Sequence, residues 1–192
     1  MKRELLDILY WQRRVAYFRD EKAYKQLYLH FYTPLHRFAI AFLGEPEMSE
    51  ELVSDVMIRI WLMEEKLSNI ERLDLYLFKS VRNAALACMK QKRPAIEYTD
   101  DSYMDHAGDF TADAKVNMNE ICGRIEAEVQ RLPPQSQLVF RLVKDEGLSY
   151  KEVQSVLGVT NNTIKTHIRI ALKRIRTALE DFMNEASGEK IK

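Results

Sequence analysis

The stretch Leu148-Ser149-Tyr150-Lys151-Glu152-Val153-Gln154-Ser155-Val156-Leu157-Gly158-Val159-Thr160-Asn161-Asn162-Thr163-Ile164-Lys165-Thr166-His167-Ile168-Arg169-Ile170-Ala171-Leu172-Lys173-Arg174-Ile175-Arg176 decides how the chain is read. Ser149 followed three residues later by Glu152 is a capping-box signature, so a short helix starts here. Its inward positions are Val153, Val156 and Leu157. Gly158-Val159-Thr160 breaks it, with the glycine supplying the left-handed backbone that a sharp turn needs. A second helix begins near Asn161, and Ile164, Ile168, Ala171, Leu172, Ile175 and Leu179 recur as its buried stripe.

With those positions committed to a core, the exposed face follows. It carries Asn162, Thr163, Lys165, Thr166, His167 and Arg169 at its N-terminal end, then Lys173, Arg174 and Arg176. In a helix-turn-helix the N-terminal residues of the second helix reach base edges in the major groove. Asn, Thr, Lys and Arg have the donors and acceptors for that groove, and the later cations suit phosphates, which give affinity without reading sequence. The bland alternative is a helical hairpin with a solvated basic face.

Outward from this stretch the signals remain helical, with no alternating strand pattern of useful length. An apolar period runs through Leu5, Leu6, Leu9 and Tyr10. A second helix is expected from about Glu21 to Leu43, capped by Asp20 and stopped by Gly44. Pro46 opens a third, from about Glu47 to Lys66, with Leu52, Val53, Val56, Met57 and Ile60 on one side. A fourth runs from about Leu73 to Arg93 and ends before Pro94. Its expected buried stripe is Leu73, Tyr76, Leu77, Ser80, Val81, Ala84 and Cys88. The periodicity then fails until about Val116. Residues 98–109 are acidic and short on aliphatics, so they cannot bury enough apolar area to offset the entropy of ordering. The expected fold class is all-α: two small helical domains, 1–93 and 116–184, joined by a flexible acidic linker at 94–115, with a frayed tail at 185–192.

The 29 basic and 29 acidic side chains cancel, but only on average. Residues 1–95 carry 16 basic and 13 acidic groups, residues 96–127 carry 2 and 8, and residues 128–192 carry 11 and 8. From Leu75 to Ile96 there is no acid, while Lys79, Arg82, Lys90, Lys92 and Arg93 are present. Between Glu152 and Glu180 there is again none. Long acid-free basic stretches are an electrostatic footprint for a polyanion. On the fourth helix, Leu75, Lys79, Arg82, Leu86, Lys90 and Arg93 recur at steps of three and four, bordered by Asn83. Cations interleaved with apolar groups suit an unstacked strand, where charges track phosphates and apolar groups meet base faces. An ordinary amphipathic helix with a snorkelling basic face is the alternative.

Other classes find little support. There is no glycine-rich phosphate loop, no nucleophile constellation and no metal-ligand spacing, so no catalytic residue, cofactor or metal is expected. Cys88 and Cys122 read as reduced thiols. No apolar run approaches the ~18 residues of a membrane span. The N-terminal Met1-Lys2-Arg3-Glu4 acquires an acid too early for a secretory signal, so a cytoplasmic protein is expected.

Two motif sets add a resemblance. Leu27-Tyr28, Tyr32, Leu35, Phe38-Ala39 and Leu43-Gly44, followed by the run Ser49–Trp61 and Tyr76-Leu77-Phe78-Lys79-Ser80-Val81-Arg82-Asn83, resemble the N-terminal conserved domain of extracytoplasmic-function sigma factors. Leu132-Pro133-Pro134-Gln135, Leu157-Gly158-Val159-Thr160 and Ala171-Leu172-Lys173-Arg174-Ile175-Arg176 resemble their C-terminal domain. The resemblance covers about residues 5–93 and 116–180, in the family's order. It implies that Glu51, Asp55 and Arg59 dock on core RNA polymerase. It also implies that Lys79, Arg82, Asn83, Leu86 and Lys90, with the loop around Leu67–Arg72, hold the melted strand of the −10 element, one base captured in a pocket formed partly by that loop. The C-terminal helix-turn-helix is implied to read the −35 element in promoter DNA, and an anti-sigma factor, often membrane-bound, is a usual partner. Ala87 stands where many members carry Asp, and His167 and Ile170 where many carry arginine, so no promoter sequence transfers. The competing readings are a helix-turn-helix regulator without polymerase docking, for which residues 1–93 lack a receiver-like pattern, and a sigma mimic acting by protein interaction, against which both basic faces argue.

Overall fold

The computed structural model describes residues 2–92 and 118–186, and all regular structure among them is helical. The chain divides into two compact units, Met1–Ile96 and Glu97–Lys192. The expected linker at 94–115, with Arg93, lies outside the described residues.

In the first unit, α1 (Lys2–Phe18), α2 (Glu21–Leu43), α3 (Pro46–Leu62) and α4 (Leu73–Lys92) pack around α2, with a 3-10 turn at Glu64–Asn69 laid against α1. Asp20 caps α2 as its chemistry demands: its Oδ1 accepts from the Lys22 and Ala23 N–H groups at 3.0 and 3.1 Å. Gly44, at φ 70, ends the helix and donates to the Ile40 carbonyl at 2.8 Å. Pro34 inside α2 removes one ladder N–H. The helix continues through it because Ala23, Leu27, Phe31, Leu35, Phe38 and Ala39 form an unbroken buried stripe. Phe38 meets Phe78 of α4 edge-on, centroids 5.1 Å apart, in a core that also holds Val53, Met57, Ile60, Leu77 and Val81.

Two sequence expectations need correction. The third helix does not reach Lys66. It stops at Leu62, and Glu64, in the left-handed region at φ 52, opens the 3-10 turn. A non-glycine residue there costs about 1–2 kcal/mol, offset by the complete burial of Leu67 that the turn permits. The core stripe of α4 is also rotated: Leu73, Leu77, Phe78, Val81 and Ala85 are buried, Ser80, Ala84 and Cys88 are half-buried, and Tyr76 is exposed.

The α1–α2 junction shows how local strain is repaid. Arg19, at φ 51, places its guanidinium 4.2 Å from the Trp61 ring centroid and donates to the Trp61 carbonyl. Arg14 donates to Asp20 through Nε at 2.9 Å and Nη2 at 2.7 Å. That bond, then those from Ala23 and Lys22, hold the Asp20 carboxyl below its ordinary value. A lowered folded-state pKa contributes stability above the ordinary carboxylate pKa and loses it as pH falls through the folded value. Asp20→Asn keeps a capping oxygen and drops the charge. The urea-midpoint gap between wild type and this variant is therefore expected to be widest near neutral pH and to close on acidification below about pH 4.

In the second unit, α5 (Met118–Gln130), α6 (Pro134–Lys144) and α7 (Tyr150–Leu157) pack against α8 (Asn161–Ala186). Val129, Leu132, Phe140, Ala171 and Ile175 form one cluster, with Ile125 and Leu179 packed on it. Leu172 is a further correction: it is 43% exposed, one step past the edge of the α8 stripe, which Phe182 extends instead. Helix α8 also runs through Ala186, two residues into the expected tail. Arg141 is buried and joins α5 to α6, donating to Glu126 at 2.6 Å and to Asp145 at 3.0 Å.

Candidate nucleic-acid and polymerase interfaces

The capping box forms as its spacing predicts. The Ser149 N–H donates to Glu152 Oε2 at 2.8 Å, and the Glu152 N–H donates back to Ser149 Oγ at 3.4 Å. Gly158 takes φ 71 and closes α7 on the Gln154 carbonyl at 2.8 Å. Thr160, two residues on, caps α8 by accepting the Thr163 N–H at 3.2 Å. This turn sets the rotation of α8, and so which side chains face outward.

The nine α8 candidates separate into two groups. At 100° per residue, Asn162, Lys165, Thr166, Arg169, Lys173 and Arg176 fall within one arc opposite the buried stripe, and all six are exposed. The other three lie on a flank and spend polar groups inside their own unit. The Thr163 hydroxyl is 2.8 Å from that of Thr160. His167 is half-buried, its Nδ1 2.9 Å from Oγ of the buried Ser136 on α6. Arg174 donates to the Arg131 carbonyl at 2.9 Å, gripping the turn after α5. Four cations and two short polar side chains thus make the outer surface suited to duplex DNA.

On α4, the outward arc holds Tyr76, Lys79, Asn83, Leu86 and Lys90, with Arg82 on its edge. Asn83 and Lys90 are exposed, while Lys79, Arg82 and Leu86 are half-buried. Tyr76, which sequence reasoning assigned to the core, instead adds an aromatic ring to this face. At the head of the helix Arg72 clasps Asp74 in a two-pronged pair, Nε–Oδ1 3.0 Å and Nη2–Oδ2 2.7 Å.

The third candidate face is on α3. Glu51, Asp55 and Arg59, one turn apart, are all exposed. Ile58 and Leu62 share that side, 51% and 65% exposed. Sequence reasoning missed them, although apolar residues on the side away from Val53, Val56 and Ile60 were the available signal. An open depression lined by Glu21, Tyr24, Ile58 and Trp61 adjoins them. Apolar anchors ringed by charges have the composition of a protein-docking surface.

Among the described residues, no group of three His, Cys, Asp or Glu side chains is placed to hold a metal ion. Cys88 and Cys122 are free thiols. No described helix is long and apolar enough to cross a membrane.

Known proteins resemble the chain on the same lines. The family model "Sigma-70 region 2" matches residues 27–94, and "Sigma-70, region 4" matches residues 122–175. The ECF RNA polymerase sigma factor RpoE of Cereibacter sphaeroides is 25% identical over 181 residues, covering 91% of this chain and 96% of that protein. RNA polymerase sigma factor SigZ of Bacillus subtilis is 22% identical, covering 81% and 86%. Among solved structures, the sigma factor RpoE of Bartonella quintana, in complex with the anti-sigma factor NepR, aligns at a TM-score of 0.53 and 21% identity, over 83% of this chain and 98% of that one. CnrH, in complex with the cytosolic domain of CnrY, aligns at 0.53 and 16%, over 91% and 98%. With both regions matched in order and together spanning more than half of the sequence, the chain belongs to the sigma-70 family of RNA polymerase sigma factors, within its extracytoplasmic-function group.

Proposed function

We propose that this sigma factor, which directs RNA polymerase to promoters, divides its recognition between the two units. Residues 1–93 act as the docking and melting domain and residues 116–184 as the upstream-duplex domain, joined through 94–115. One observation carries this reading: a single chain presents two basic helix faces of different chemistry. The outer face of α8 offers cations and short polar groups, as a major groove and its phosphates require. The outer face of α4 mixes Lys79 and Lys90 with Tyr76 and Leu86, as unstacked bases require. Docking of core polymerase is assigned to Glu51, Asp55 and Arg59, with Ile58 and Leu62 as apolar anchors.

Neither DNA face needs high affinity alone, because tethering both to polymerase raises the effective concentration of each. The chain acts in the cytoplasm, by binding rather than catalysis. An anti-sigma factor is its proposed regulator, a role supported by a structure of the same fold held in such a complex.

The test is a footprint of reconstituted holoenzyme on a dependent promoter. Expected are protection of the upstream duplex and permanganate-reactive thymines downstream. Upstream protection without reactive thymines contradicts the role given to α4. Base–aromatic stacking is worth about 1–3 kcal/mol. Tyr76→Ala should therefore weaken holoenzyme binding to single-stranded −10 DNA about tenfold, whereas Tyr76→Phe should bind normally. Equal binding by Tyr76→Ala removes Tyr76 from the interface.

A further inference from the structure

Gln12 lies in the middle of α1 and is 2% exposed. Its Nε2 donates two hydrogen bonds, each 2.7 Å, to the carbonyls of Leu67 and Ile70, 55 and 58 residues away. Leu67 is fully buried in the 3-10 turn, and Ile70 is the extended residue that ends it. One buried amide therefore pins both ends of the segment Leu67–Ile70 to the first helix. The amide's orientation is fixed, since two carbonyls can be met only by the NH2 end. Its Oε1 is then buried with no hydrogen-bond partner among the described residues.

An orphaned buried acceptor costs free energy, and an apolar side chain of the same length would fill the space without that cost. What the amide alone supplies is the fixing of two backbone carbonyls. A second tether lies outside it: the Tyr17 hydroxyl donates to Ser68 Oγ at 3.0 Å, and Ser68 Oγ donates to the Glu65 carbonyl at 2.6 Å. Beyond Ile70 the chain passes Glu71 and enters the Arg72–Asp74 clasp that opens α4. Helix α1 thus holds the loop that delivers the chain into the strand-binding helix.

We propose that Gln12 is a positioning residue for promoter melting, setting the 67–72 loop in the shape that receives a base drawn out of the stack. This rests on the reading of that loop as part of the strand-binding site. Capturing an extruded base must offset the loss of stacking and pairing, and a pocket that is already ordered adds no further entropy cost. Gln12 acts through the loop backbone and touches neither the DNA nor the polymerase face on α3.

The experiment uses holoenzyme and single-stranded oligonucleotides covering the melted segment of a promoter it starts from, either intact or with one abasic site moved through the segment. Wild-type holoenzyme is expected to lose affinity about tenfold at one abasic position. Gln12→Met is expected to bind core polymerase normally, to bind the intact strand about tenfold more weakly, and to show no further loss at that position. Tyr17→Phe removes only the outer tether and leaves the core untouched, so it decides the matter if Gln12→Met folds poorly; it should lose about threefold on the intact strand, with a matching fall in the abasic penalty. A full wild-type penalty in the folded variants overturns the role of Gln12 and leaves base capture standing. A wild-type holoenzyme indifferent to every abasic position overturns base capture itself.

Discussion

Replacing Lys165 and Arg169 together by alanine is expected to lower transcription from a promoter with an upstream element by about a hundredfold. Both side chains are exposed on the outer arc of α8, and between Glu152 and Glu180 no acid competes for them. A base-edge contact is worth about 1–3 kcal/mol, and each lost phosphate contact lowers the logarithmic salt slope by about one. The double variant should therefore show weaker upstream protection and a shallower salt dependence, yet keep its helix content and its affinity for core polymerase. His167→Ala is the informative control. The imidazole faces Ser136 rather than the groove, so this change is expected to lower the thermal midpoint of the second unit and leave the salt slope intact. Unchanged transcription in the double variant removes α8 from promoter reading.

Asp55→Arg is expected to weaken core polymerase binding by about two orders of magnitude. Asp55 stands exposed between Glu51 and Arg59, with Ile58 and Leu62 beside it. Losing one partner of a desolvated charge pair costs about 2–5 kcal/mol, and reversal adds repulsion to the loss. Within the free protein the new arginine faces water and meets Arg59 one turn away, a penalty of only about 0.2–0.5 kcal/mol, so the fold should survive. Gel filtration with core polymerase reads the result. Co-elution at normal yield would show that this side of α3 does not dock.

Much of the fold was legible because its punctuation is local. Asp20 and Gly44 bound α2, the Ser149–Glu152 pair opens α7, and Gly158 closes it, each through a bond to a residue three or four positions away. What escaped notice depends on distant partners. Glu64 takes a left-handed backbone without a glycine to announce it, because the reward is the burial of Leu67. On α4, apolar side chains occur almost all the way round, from Leu75 through Phe78 to Leu86, so periodicity alone could not place Tyr76 outside and Phe78 inside. Gln12 has no local signal at all, since the carbonyls it meets lie 55 and 58 residues further on. Among the candidate sites, six of the nine on α8 share the outer arc that the helical period implies, and the same period puts Thr163, His167 and Arg174 on a flank; what it does not show is that they meet Thr160, Ser136 and the Arg131 carbonyl there.

Run-off transcription with purified core polymerase, on the promoter region of the protein's own operon and paired with core co-purification, tests promoter-directed initiation most directly. Addition of the protein should yield a transcript of one defined start that is absent with core alone, from a polymerase that retains the protein on purification. No transcript together with no retention on core polymerase would contradict it.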